Sequence, residues 1–296
     1  MIDAFGGNDT VDGGGGNDLI CGGSGNDTLV GGAGNDSIDG VAGKDTVVGD
    51  LMNSSQTGTG NDTLIGGSGK DLIVGDVYNP NGGDATGSGS DDIQAGPGKD
   101  HVIGDADTTN GAARGAGNDH IFAGKGGDVV IGDALGSSSA VGTGDDFERL
   151  DESNDLGVGD AAITGAGTAT GGGKDDITGF TANDVLIGDS YAPNGNARGG
   201  AGDVLSGGKT GNDILIGDNL TLSNTATVSG GGGDKLGGAS GNDRFIAGAG
   251  NDRCSGGPGH DIDLSEPKCE QSSGIEARKP GAVGAIARAL KRFSLG

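Results

Sequence analysis

Aspartates recur at a fixed beat in the first fifty residues: Asp9, Asp18, Asp27, Asp36 and Asp45 stand nine apart. From Gly22 to Val48 the chain reads GGSGNDTLV, GGAGNDSID, GVAGKDTVV, one nine-residue phrase given three times. Two glycines, a variable residue, a glycine, Asn or Lys, and then Asp describe a tight turn. Glycine takes positive φ without steric cost, and Asn tolerates the left-handed region better than most residues. Such a turn aims several backbone carbonyls at one point, and the Asp adds an anionic oxygen. Carbonyls and carboxylates without His or Cys suit Ca²⁺, a hard cation that takes 6–8 oxygen ligands.

After each Asp come three residues with an aliphatic one in the middle or at the end: Thr28-Leu29-Val30, Ser37-Ile38-Asp39, Thr46-Val47-Val48. This is a very short strand with one side chain aimed inward. A turn and a strand make half a coil. Two halves return the chain to its starting side, which places Asp27 beneath Asp45 and Asp18 beneath Asp36. The phrase GGxGxDxUx, with U aliphatic, resembles the repeat of the RTX (haemolysin-type) calcium-binding proteins. The resemblance covers roughly residues 3–264 and is specific because the phrase recurs in phase. It implies an all-β, right-handed parallel β-roll with Ca²⁺ held between successive turns on each edge. The candidate ligands are Asp9, Asp18, Asp27, Asp36, Asp45, Asp62, Asp71, Asp92, Asp100, Asp119, Asp128, Asp175, Asp184, Asp203, Asp213, Asp234, Asp243, Asp252 and Asp261.

From Gly49-Asp50 a second rhythm appears. A strand ending in Ile or Val runs into Gly-Asp, then a polar insert, then another repeat. These aspartates are Asp50, Asp76, Asp105, Asp133, Asp160, Asp189 and Asp218, separated by 26, 29, 28, 27, 29 and 29 residues. They either add ligands or open the insert through an Asx-type turn. The inserts, such as Val77–Gly82 and Ser190–Gly195, all leave one edge and should form a row of loops. The expected organisation is a calcium-binding roll over 1–264, with insertions over 49–233, and a basic cap or tail over 265–296. About ten coils at strand spacing give a rod of roughly 50 Å.

One coil loses its turn glycines. Phe147-Glu148-Arg149-Leu150-Asp151-Glu152-Ser153-Asn154-Asp155 keeps the phase, and a weak or empty short-turn site is expected there. The tail carries six basic residues, Lys268, Arg278, Lys279, Arg288, Lys291 and Arg292, against Glu266, Glu270 and Glu276. Val283, Ile286, Leu290 and Phe293 follow a helical spacing. This helix is expected to cap the last coil, the alternatives being an export signal or a membrane-surface helix. Cys254 falls at an inward position and Cys269 follows in the tail. A disulfide between them would pin the tail to the final coil in an oxidising compartment and leave Cys21 unpaired.

The chain has 296 residues, of which 71 are Gly, 3% are aromatic, and the net charge is −25. That charge argues against nucleic acid or an anionic membrane as partner and suits a protein that fills with divalent cations. Neither a transmembrane run nor an N-terminal signal peptide is expected from this sequence. His101, His120 and His260 sit at variable positions of the repeat, and no HExxH or GxSxG appears, so no enzyme activity is expected. The expected function is that of a secreted, extracellular calcium-binding protein that folds and stiffens on binding several Ca²⁺ ions. The competing readings are an accessory or secretion domain of a larger secreted hydrolase or toxin, and a surface adhesion or ice-binding module.

Overall fold

A computed structural model describes the chain except for residues 224–225, 266–268, 276, 279–282, 294 and 296. Lys268, Lys279, Glu266 and Glu276 therefore lie outside the described residues. The rest is a parallel β-solenoid whose strands stack coil upon coil in register. Leu72–Val74 lies between Thr46–Val48 and His101–Ile103, pairing Ile73 with Val47 on one side and Val102 on the other. On the opposite face Asp92–Gln94 lies between Thr63–Ile65 and His120–Phe122. Because side chains alternate along a strand, the middle residue of each faces the lumen. Ile20, Ile38, Leu64, Ile93 and Ile121 stack from one sheet against Leu29, Val47, Ile73, Val102 and Val130 from the other. Each fully buried aliphatic contributes about 1.5–3 kcal/mol, so the lumen is the adhesive that joins neighbouring coils.

Among the described residues the two main sheets each run through twelve strands along their paths. This exceeds the expected ten coils. The Asp-to-Asp count leaves out Ile2–Asp3 before the first repeat, and Gln271–Ser273 and Ala277–Arg278 beyond the last. The roll thus continues past residue 264: Gln271–Ser273 pairs with Arg253–Ser255, and Ala277–Arg278 pairs with Ile262–Asp263.

The inserts are not loops. Among the described residues they form two further parallel sheets, of seven and six strands. Val77–Asn79 stacks on Ala106–Thr108, and Ala85–Thr86 stacks on Ala112–Arg114. Between them lies a second, narrow lumen of small residues, Val77, Ala85, Ala106, Ala113, Ala134 and Ala140 among them. The middle of the rod is therefore a four-strand coil, and its two ends are two-strand coils.

The outer side of one main sheet is apolar: Val74, Ile103, Ile131, Val158, Ile187 and Ile216 form a buried rank. The helix Val283–Leu290 answers this rank. Its Ile286 and Leu290 are buried in the same cluster, with Phe293 and Leu295 packed against it. The helix does not cap the last coil. The tail runs back along the flank, where Arg292 donates to Asn154 Oδ1 at 3.5 Å and to the Asn183 carbonyl. Cys254 and Cys269 are joined by a disulfide, with Cα atoms 6.0 Å apart, and Cys21 is free.

Candidate metal centre

Each turn Asp is placed by its own short strand and bound to the turn two further on. The Asp27 amide donates to Asp45 Oδ1 at 2.8 Å, and Asp45 donates to Asp71 Oδ1 at 2.8 Å. This ladder runs without a break through Asp9, Asp27, Asp45, Asp71, Asp100, Asp128, Asp155, Asp184, Asp213, Asp243 and Asp261. The other edge carries a second ladder through Asp18, Asp36, Asp62, Asp91, Asp119, Asp146, Asp175, Asp203, Asp234 and Asp252, ending on Glu270. Stacking at 18 residues in the plain coils, and at 26 to 31 where inserts intervene, leaves the geometry unchanged.

Asp92 is not in the ladder. It is exposed on the strand that follows, and Asp91 takes the place. The ladder Asp stands two residues before the inward aliphatic, here Ile93, so the register of the lumen selects Asp91. The same spacing from Ile177 selects Asp175 over Asp176. The coil without turn glycines also keeps its place, since both Asp146 and Asp155 are buried ladder members.

One carboxylate oxygen per turn is thereby used. Oδ2 of Asp27, Asp36, Asp62, Asp91, Asp119, Asp146 and Asp175 is buried and accepts no hydrogen bond. Beside these oxygens the backbone is stripped to glycine. A methyl group on Gly31 would overlap both Asp36 Oδ2 and the Gly49 carbonyl oxygen. On Gly75 it would overlap Asp91 Oδ2 and the Gly104 carbonyl oxygen. Each cradle is thus a small space faced by an orphan carboxylate oxygen and a carbonyl of the next coil, an all-oxygen donor set that suits Ca²⁺.

The Gly-Asp dipeptides have a place in this geometry. Their glycine forms the floor of the cradle. Their Asp clasps the returning insert: Asp105 Oδ2 accepts the Ala116 and Gly117 amides at 2.6 and 2.8 Å. These carboxylates also approach the ladder. Asp50, Asp62 and Asp76 form one triad, Asp76, Asp91 and Asp105 a second, and Asp105, Asp119 and Asp133 a third, with ligand atoms in each within 4.8 Å of one another. Asp76 and Asp105 are each shared by two triads.

Burial raises the carboxyls of Asp62, Asp76, Asp91, Asp119 and Asp133 above the ordinary range, and neighbouring acids add to it. Asp62 is pushed up to about 7, and Asp128 and Asp184 to about 8. Asp119, Asp146 and Asp175 are raised well above it. Burying like charges this closely is unfavourable unless protons or cations neutralise them.

Asn at the fifth turn position serves a different purpose from the one its conformational tolerance suggested. Its side chain accepts the amide of the equivalent residue in the next coil, as Asn8 does from Asn26 and Asn26 from Lys44, each at 2.9 Å. Positive φ falls instead on the second and fourth positions, as at Gly23, Gly25, Gly32 and Gly34.

The model of the RTX calcium-binding nonapeptide repeat matches residues 1–20, 6–29, 22–51, 52–77, 85–108, 115–134 and 228–263, together more than half of the sequence. The chain belongs to this RTX repeat family. No curated protein and no solved structure matches it. The family match leaves out 135–227, the region of the glycine-poor coil, yet both RTX ladders pass through that region intact.

Proposed function

We propose that this RTX chain is a non-catalytic extracellular rod whose folding and stiffness depend on filling the two ladders with calcium. The observation that carries the reading is the repeated buried Asp Oδ2 with no partner, facing a carbonyl of the next coil. Without cations the stacked carboxylates repel and hold protons. With Ca²⁺ between them the same stack joins successive coils, so binding free energy becomes folding free energy. The ligands are the ladder aspartates of both edges, with Asp91 in place of Asp92 and with Asp146 and Asp155 included, and the triads enlist Asp50, Asp76, Asp105 and Asp133. A secreted setting supplies calcium freely and accords with the Cys254–Cys269 disulfide. The roll is the binding unit, and the tail helix braces its flank.

Far-UV circular dichroism during calcium titration of chelator-treated protein tests this, with Mg²⁺ as the control. A cooperative gain of β signal with Ca²⁺ alone is expected. Full β signal in chelator would mean that the aliphatic lumen suffices, and the reading would fail.

A further inference from the structure

A cleft of about 290 Å³ opens between one main sheet and the insert sheet beside it. Its walls come from both. His101 pairs with Leu72 along the main sheet, and Tyr78, Asp107 and Leu135 pair in turn along the insert sheet. Leu295 of the tail reaches the same cleft. The insert wall is part of a column, Tyr78, Asp107, Leu135, Ala162, Tyr191 and Leu220, in which each residue is paired with the next. Every other member of this column is apolar or aromatic, so a carboxylate there is a departure. Asp107 is only 7% exposed. Among the described residues it has no hydrogen-bond or ion-pair partner. It stands in neither ladder and in none of the three triads. Burial pushes its carboxyl up to about 7. Burial, and then the charge of Asp107, raise the Tyr78 phenol beside it.

A buried carboxylate between Tyr78 and Leu135 is unfavourable unless a cation meets it. Calcium does not suit the place. Thr108 and Thr109 turn their hydroxyls to the Gly83 and Pro80 carbonyls, at 2.7 Å each. One carboxylate is then offered where Ca²⁺ needs six or more oxygens. An organic ammonium suits it better. Asp107 gives a charge-assisted hydrogen bond, the Tyr78 ring gives a cation a face to rest on, and leucines cover a hydrocarbon stem. A largely apolar concave wall with one charge set in it is the common form of a small-molecule site. We propose that this cleft binds a small primary amine, its ammonium against Asp107 and Tyr78 and its stem along Leu72, Leu135 and Leu295. The site is separate from the calcium ladders and joins the main sheet, the insert sheet and the tail.

Tyr78 and Tyr191 are the chain's two tyrosines, and it has no Trp. In a Tyr191→Phe background, tyrosine emission therefore reports on the cleft. The full chain in calcium buffer is titrated with n-hexylamine, and with n-hexanol as the uncharged control, at pH 8, where Asp107 is largely ionised. Saturable binding of the amine is expected, about tenfold or more tighter than that of hexanol. Asp107→Asn and Asp107→Leu should each bring the amine down to the affinity of hexanol with the β-sheet signal unchanged. The Leu variant extends the apolar column and controls for folding. No saturable response in the parent, or equal affinity for amine and alcohol, would overturn the site and leave Asp107 a hydrated or protonated carboxyl. Amine binding that survives both substitutions would overturn it too, by placing the amine on the acidic surface at large.

Discussion

Replacing Asp119 with Asn changes one charge and little else. Asp119 Oδ1 accepts the Asp91 amide at 2.8 Å, which an amide oxygen can also do, while Oδ2 has no partner to lose. The ligand atoms of Asp105, Asp119 and Asp133 lie within 4.8 Å of one another. At that separation and an effective dielectric near 20, each pair of like charges is worth about 3 kcal/mol. In the calcium-loaded rod the Asn removes a buried partner of the cation, a loss of about 3–5 kcal/mol. For a chain of this size that lowers the melting temperature by on the order of 6–12 °C. In chelator the sign reverses. Burial and the charges of Asp105 and Asp91 hold the Asp119 carboxyl well above the ordinary range, so the metal-free fold must protonate it or bear the repulsion. Asn needs no proton, and at pH 8 the variant should be at least as stable as the parent. Thermal melts followed at a β-sheet wavelength, with calcium and with chelator, measure both. Asp92→Asn, exposed in the adjacent coil, should leave both melts unchanged. An equal loss for Asp119→Asn in calcium and in chelator would show the residue to be a turn former only and would refute the metal argument.

Without calcium, stability should be highest near or below pH 4 and fall as pH rises toward 8. Asp62, Asp128 and Asp184 titrate at about 7 to 8 in the fold against 3.8 as free side chains, so the folded state holds more protons in that window. Melts in chelator check this, and calcium should invert the slope because acid strips the ion. Gly75→Ala should destabilise the rod by about 1–3 kcal/mol or more and weaken calcium binding, since the methyl meets backbone and Asp91 Oδ2, whereas Gly172→Ala has open space and should not. Reducing Cys254–Cys269, which closes a 15-residue separation, should cost about 3 kcal/mol, seen as faster hydrogen exchange in Gln271–Ser273. Arg292→Ala removes the contacts to Asn154 and Asn183 and should expose the tail to limited proteolysis while the calcium titration stays unchanged.

The parts of this fold that were legible are those that a period can carry. The nine-residue beat puts Asp27 under Asp45 because two turns make one coil, and the structure holds them so. The insert strands were hidden because their lumen is built of Ala, which does not announce a core as Ile does. The signal was present in Ala85, Ala113, Ala140, Ala169 and Ala197, which recur at the same place in successive inserts and stack. Asp91 could have been chosen over Asp92 by stepping two residues back from Ile93. The flank position of the helix was not legible, because nothing local to Val283–Leu290 records the apolar rank of Val74, Ile103 and Ile131 far earlier in the chain.

The four-strand section concentrates the repulsion between buried carboxylates. In a plain coil each edge presents one ladder carboxylate per turn, with solvent beyond it. In the middle section the insert closes over that edge and brings in the Gly-Asp carboxylate, so the acids of one turn are both more numerous and cut off from water. Asp36, at the N-terminal end, is raised by its burial, but Asp119 and Asp146, of the same ladder, are driven far higher by deeper burial and by Asp105 and Asp133. The same insert supplies a second lumen and two more sheets, which add cohesion between coils. Stability in a solenoid is a sum over neighbouring coils. The middle is therefore both the section most strained without metal and the one with the most apolar contact to gain once it is filled. If the roll folds on calcium as proposed, that dependence is concentrated at the centre, and the plain ends follow.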